Sequence, residues 1–491
     1  MKNFVFLLLI VLLLCSCSAV HQAHQPNQKF GKAALMKDYN IAREILTTKH
    51  PSLYWYTSKD SIDYYFDTQA QLLKDSMTAQ QFVWQIMAPV VNKIHCGHTS
   101  IGMSKSYEKW KRFHKPSAFP FHLKVWNDSM VVMNTVYEKD TLLKKGTLIK
   151  SINGIESSAI IKKMLSHLPE DGYAHNVNFI RISSNFPLLH TYVFGLSDNY
   201  HIQYVDSLAN VKDTIIAAFV ESKKTRKNEI KLANIKQQRK PKNWTSRSLE
   251  IDSSHQKALL RLNNFTAVGL RRFFKKSFKT LHSKQVPNLI IDLRYNGGGF
   301  VSKSTLFTKY ISKKPFKVAD SVYATVSSLA PYTSYFKEGR WNNIKLRILG
   351  RRQSDSTFHL ERYERKMYKP KKHLRFDGNI YILINGPSFS ATTLFLNAIK
   401  GQSNVVLVGE ETGGGWYGNN GILLPEIILP NTQTRLRMPL FRLVQFNHLE
   451  SHKGKGIPPD IFVPTHYDAL INGYDMKLKV VDSLINQKPI K

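Results

Sequence analysis

At roughly 150 residues per domain, the 491-residue chain is long enough for about three compact units with a sizeable core. Its 42% hydrophobic, 11% aromatic and 21% charged residues, with 25 Gly and 20 Pro, exclude a collagen-like or low-complexity body. Lys and Arg number 70 against 35 Asp and Glu, a net charge of +35 that favours acidic polymers, anionic membranes or negative protein surfaces without choosing among them.

Residues 1–16 read as a signal peptide: Lys2, an apolar run from Phe4 to Leu14, then small residues, too short for a comfortable membrane span. Leu14-Cys15-Ser16-Cys17 resembles a bacterial lipobox, which makes Cys17 the expected lipidated N-terminus of an exported protein anchored in a membrane and facing the periplasm or cell surface. Residues 17–32 are polar, contain Pro26 and suit a tether. After such processing Cys96 is the only cysteine left in the body, so a disulfide scaffold is excluded.

Over residues 33–115 apolar side chains recur at helical spacing, as in Ile41, Ile45, Leu72, Leu73, Phe82 and Ile86, and predict a helical unit that closes on His95-Cys96-Gly97-His98-Thr99-Ser100. Residues 116–221 change to strand texture, with Phe121–Val125 and Met130–Met133 alternating between turns. Inside this module, Gly146 to Gly154 followed by a periodic helix over 159–168 resembles the G-d-x-I-x-x-I-N-G segment of PDZ domains, which capture extended peptides as an added strand. Thr147 stands where that segment usually has an acid, and an unrelated β-module is the other reading. Residues 222–248 are a basic, polar linker; over Ser222–Lys242 no aromatic side chains interleave its charges, so no nucleic-acid partner is expected.

Residues 249–491 hold three apolar strands that each end in small residues. Asn288–Leu293 breaks at Arg294-Tyr295-Asn296-Gly297-Gly298-Gly299, where bare backbone N–H groups can approach a ligand carbonyl, although a tight structural turn explains the glycines equally well. Asn379–Ile384 runs through Asn385-Gly386-Pro387-Ser388-Phe389-Ser390-Ala391 into a periodic helix over 394–400, placing hydroxyls at a helix N-terminus, where each serves as an N-cap or as a nucleophile. Val405–Val408 leads to Gly409-Glu410-Glu411-Thr412-Gly413-Gly414-Gly415. Three such strand ends suggest one site at a common sheet edge.

Taken with Gly454-Lys455-Gly456-Ile457-Pro458-Pro459-Asp460, these segments in this order resemble the tail-specific, or C-terminal-processing, serine peptidase family, in particular its tricorn-core-like branch. The resemblance implies an α/β multidomain fold in which a ClpP/crotonase-like core of ββα units joins a helical N-terminal unit and a PDZ-like β-rich module. It further implies a peptidase acting on protein or peptide substrates without a cofactor or metal. Ser390 would be the nucleophile, and backbone N–H groups of Gly297, Gly298 and Ala391 the oxyanion donors.

Two departures bear on the mechanism. No lysine lies between Glu410 and Asn420, where the processing branch carries its base. The tricorn-like branch uses a histidine in a D-G-H-T motif, and Cys96-Gly97-His98-Thr99 matches it with Cys for Asp, which makes His98 the implied general base. The acid that would orient His98 has two weak candidates, Glu450 and Glu410, and Thr393 stands where many relatives have Glu. A zinc site or a Cys96 nucleophile at His95-Cys96-Gly97-His98 lacks the wider ligand spacing or the oxyanion donors it would need. The alternative function is a catalytically silent lipoprotein that binds peptides or lipids on the same scaffold.

Overall fold

A computed structural model describes residues 25–136, 143–206, 208–221 and 246–487. The expected signal peptide, Cys17, the first part of the tether and nearly all of the basic linker lie outside the described residues.

Helix α1 (Lys32–Lys49) buries Leu35, Tyr39, Ala42 and Leu46, spaced by three and four so that they share one face. Helix α2 (Lys59–Gln71) starts at Ser58, whose hydroxyl accepts from the Ser61 N–H. This helical segment does not pack as a separate body. Its Leu46, Ile86 and Ile94 share one buried cluster with Val322, Leu436 and Leu443 from the far end of the chain. Strand β1 (Ser100–Gly102) lies towards its end and is followed by a short helix over Lys105–Lys111.

The β-rich module is a sheet of β2 (Phe121–Trp126), β3 (Ser129–Thr135), β4 (Leu148–Ile152), β5 (Asn199–Val205) and β6 (Val211–Ala217), antiparallel and paired in that order. β2 alternates buried and half-buried residues, as a strand with one covered face must. Asn153 and Gly154 both take positive φ, 50° and 77°, and form the tight turn that the Asn-Gly pair predicts. Three helices follow β4 or lie beyond it: α3 (Ser157–Leu165), α4 (Asn176–Ser184) and α5 (Phe186–Phe194).

The remainder is built on β7 (Arg247–Ile251), β8 (Lys257–Leu262), helix α6 (Leu270–Ser283), β9 (Asn288–Asp292), helix α7 (Val301–Thr308), β10 (Ala319–Ala324), β11 (Asn379–Ile384), helix α8 (Ala391–Ile399), β12 (Val405–Gly409), β13 (Gly418–Ile422), β14 (Arg435–Arg437), β15 (Phe441–Gln445) and β16 (Ile461–Phe462). The central sheet has six strands in the order β7-β8-β9-β11-β12-β16, parallel except for the β7–β8 pair. Its middle strands are mostly apolar because both faces are covered. Phe274, Phe278, Phe307 and Phe395 pack on one side, and Tyr381, Leu383, Val408 and Val481 form the other cluster. This is the α/β multidomain class expected from the sequence. The parallel arrangement brings the C-terminal ends of β9, β11 and β12 to one edge, where their three small-residue turns meet. Among the described residues no helix is long and apolar enough to cross a membrane.

Candidate active site

The turn after β9 is held from both ends. Arg294 pairs with Asp292 (Nη2 to Oδ2, 2.7 Å) and with Asp475 (Nη2 to Oδ2, 2.8 Å). Asn296 is fully buried and donates from Nδ2 to the Leu262 carbonyl at 3.0 Å, while its own carbonyl accepts from the Phe389 N–H at 3.1 Å and the Thr392 hydroxyl at 2.9 Å. The glycine turn and the serine turn are thus bolted together. Gly298 closes the contact: a Cβ there would lie 2.8 Å from Ala391 N and 2.8 Å from Ser390 Cβ, and its φ of 95° already favours glycine.

The two serines of the second turn have separated roles. Ser388 is fully buried, and its hydroxyl donates to the Leu293 carbonyl at 2.9 Å and accepts from the Asn385 N–H at 3.2 Å, so it is a structural residue. Ser390 precedes α8 with φ 56° and ψ −121°, a strained conformation for a residue with a Cβ, and its side chain does not cap the helix. Helix α8 consequently starts at Ala391, earlier than the apolar period beginning at Leu394 suggested. Ser390 Oγ is left without a hydrogen-bond partner among the described residues, as are the N–H groups of Ala391 and Gly297. The Gly298 N–H differs from these: it donates to Asn296 Oδ1 at 3.0 Å and is occupied. Two of the three predicted donors therefore remain open.

His98 arrives from the other end of the chain. Strand β1, which follows it, pairs antiparallel with β14 (Ser100 opposite Arg437), which joins the segment to a small three-stranded sheet with Glu426–Ile428. Gly97 passes so close to Phe389 that a Cβ would sit 2.4 Å from Cζ, and the His98 ring rests on Phe389 with centroids 5.2 Å apart. Gly421 marks the meeting point: a Cβ on it would lie 2.9 Å from Ser390 Oγ, 3.0 Å from His98 Nε2 and 3.2 Å from Asn419 Oδ1. The hydroxyl and the imidazole face one small space without a direct hydrogen bond. Burial, with the positive charges of Arg437 and Arg181, pushes His98 down to about 3, so the resting ring is neutral and able to accept a proton.

Residues 256–463 match peptidase family S41. That stretch holds all three of the small-residue turns described above. Mature CPAF complexed with lactacystin overlays with a TM-score of 0.62 at 14% identity, over 93% of this chain and 99% of that one. A second structure of mature CPAF gives 0.62 and 14% over 94% and 99%. The photosystem II D1 C-terminal processing protease gives 0.39 and 11% over 90% and 97%, too loose an overlay to argue from. No curated protein matches the sequence. The match is to serine-type peptidases, hydrolases of protein or peptide substrates.

Around this S41 core the acidic candidates read from the sequence are engaged elsewhere. Glu450 is exposed and accepts from the Tyr417 hydroxyl at 2.8 Å, and Glu410 pairs with Lys477 Nζ at 2.7 Å. Thr393 donates to the Ser390 carbonyl at 2.8 Å and accepts from Gln445 Nε2 at 3.2 Å. His95, Cys96 and His98 diverge: His95 faces Glu170 at 3.3 Å, and Cys96 Sγ accepts from Asn420 Nδ2 at 3.4 Å. Burial pushes the Cys96 thiol up to about 11, which makes it a poor nucleophile.

The carboxylate that does face His98 is Asp171, in the β-rich module between α3 and α4, with Oδ1 3.9 Å from His98 Nδ1. Sequence reasoning missed it because no local pattern links Glu170-Asp171-Gly172 to a histidine 73 residues away, by the numbering. Asn296 and Gly421 also went unremarked as site residues; the only signal for Gly421 was its place in Asn419-Asn420-Gly421, a turn-like run within a strand. Beside the glycine turn opens a cleft of about 610 Å³ whose walls include Val177, Ile180 and Arg181 of α4 and Tyr295, Pro387 and Phe389 of the S41 core. It is mostly apolar with one cation, a surface suited to an extended peptide.

Proposed function

We propose that this S41 protein is an exported serine endopeptidase or carboxyl-terminal processing enzyme, with Ser390 as nucleophile and His98 as general base. The observation that carries the reading is the approach of Ser390 Oγ and His98 Nε2 to one point over Gly421, 2.9 and 3.0 Å away, beside the open amides of Gly297 and Ala391. As Oγ attacks the peptide carbonyl, Nε2 takes its proton and later returns it to the leaving amine. The carbonyl oxygen becomes an oxyanion against the Gly297 and Ala391 N–H groups, aided by the N-terminal dipole of α8. Water then releases the acyl group.

Substrate selection falls to binding. The PDZ-like module would hold an extended segment or a free C-terminus, and the adjoining cleft would seat apolar side chains near Gly297. The signal-like residues 1–16 and the lipobox support export and anchoring through a lipid on Cys17. The substrates would then be peptides or proteins of the periplasm or cell surface.

The test is mass-spectrometric detection of products from a denatured protein and a peptide library, using the chain, Ser390→Ala and His98→Ala. Cleavage lost in both variants is the expected result. Unchanged turnover in Ser390→Ala would refute the assignment, and no cleavage by the unaltered chain would favour peptide or lipid binding without catalysis.

A further inference from the structure

We propose that Asp171 is the positioning residue of the site: a carboxylate delivered by the β-rich module that orients His98 and stabilises its protonated form. The proposal rests on the Ser390–His98 reading above.

Its first support is an unmet need at the imidazole. His98 Nδ1 is buried and has no hydrogen-bond partner among the described residues, yet a general base whose far nitrogen is unsupported holds neither its tautomer nor its aim. Asp171 Oδ1, at 3.9 Å, is outside hydrogen-bond range by roughly 1 Å, a gap of the kind that closes when substrate tightens an open site.

The second support is the way Asp171 is mounted. Its side chain is 5% exposed, with Oδ1 accepting from the Gly97 N–H at 2.7 Å and Oδ2 from the Gly415 N–H at 3.4 Å. One of these amides adjoins His98 in the chain; the other ends the glycine-rich turn after β12. The flanking backbone has no freedom to withdraw: Gly172 donates to the His95 carbonyl at 2.9 Å, and a Cβ on it would lie 2.5 Å from Gly454 Cα. Arg181 braces the same loop, donating from Nη1 to the Pro169 carbonyl at 2.6 Å. A buried carboxylate held by two amides from the parts of the chain that carry the site thus lies beside an orphaned imidazole nitrogen.

The arrangement has a pH signature. Burial raises the Asp171 carboxyl to about 7. The groups facing it are Arg181 and Glu170 from its own module and His98, Cys96 and Tyr56 from the helical segment; Arg437 faces His98 from β14. Below that pH Asp171 is protonated and cannot stabilise an imidazolium, so cleavage should rise through about pH 7 and level off above it. His98 itself titrates near 3 and supplies no limb in that range.

The experiment compares pH profiles of kcat and KM for the unaltered chain, Asp171→Asn and Ser390→Ala, with far-UV circular dichroism as the folding control. The expected result for Asp171→Asn is a loss of roughly 10²-fold or more in kcat, little change in KM, and no limb near neutrality. A limb near pH 7 in the unaltered chain supports the proposal even if Asp171→Asn does not fold. A folded Asp171→Asn with the same kcat and the same limb overturns it while leaving the peptidase reading intact, provided Ser390→Ala is dead. Full turnover by Ser390→Ala, or no cleavage by the unaltered chain at any pH, overturns both.

Discussion

Gly421→Ala inserts a single methyl group where proton transfer has to occur. Gly421 has no positive φ, so alanine costs the backbone little, and the change isolates packing at one point. The new Cβ would lie 2.9 Å from Ser390 Oγ, 3.0 Å from His98 Nε2 and 3.2 Å from Asn419 Oδ1, against an ordinary contact of 3.4 Å or more. Relief requires the hydroxyl and the ring to move apart by a few tenths of an ångström, in the direction opposite to the one catalysis needs. Overpacking of this size typically costs about 1–3 kcal/mol of stability. General-base assistance is worth roughly 10²–10⁴-fold, so its loss raises the barrier by about 3–5 kcal/mol. The expected outcome is a folded protein with kcat reduced by roughly 10² or more and KM little changed, since Gly421 does not line the cleft. The assay is steady-state cleavage of a peptide identified from the library digest, alongside thermal unfolding. Gly102→Ala, on β1 with nothing within 4 Å of its Cβ, is the control and should match the unaltered chain. A folded Gly421→Ala with kcat within a few-fold of the original would refute the meeting of Ser390 and His98 at this point.

Two further outcomes follow from the same geometry. Gly298→Ala places a Cβ 2.7 Å from the Phe389 carbonyl oxygen at a φ of 95°, so it should displace the Ser390 turn and lower both activity and thermal stability, by about 1–3 kcal/mol for the strained backbone alone; unchanged melting would contradict the contact. The Cys96 thiol, buried and raised to about 11, should resist iodoacetamide at pH 8 in the native protein and react once unfolded, with cleavage unaffected by the reagent; rapid native alkylation with loss of activity would restore a cysteine mechanism.

Much of the core was readable because its signals are local. The apolar runs at Asn288–Asp292 and Asn379–Ile384 are strands on composition alone, since a parallel strand is buried on both faces and has no polar side to show. Asn153-Gly154 is a turn because its backbone geometry needs those residues, and three glycine-rich or hydroxyl-rich strand ends point to one edge before any coordinate is known. His98 was reachable through a short motif. What the residues could not show is how distant segments oppose one another. The choice of Ser390 over Ser388 depends on which hydroxyl is consumed by the Leu293 carbonyl, and the loss of Gly298 as a donor depends on Asn296 folding back onto it. Asp171 comes to 3.9 Å from His98 because the module docks its α3–α4 loop between Gly97 and Gly415, a juxtaposition of three segments with no shared periodicity. Local pattern determined the strands, the turns and the chemistry on offer; packing between segments decided which groups were spent on holding the fold and which were left free to react.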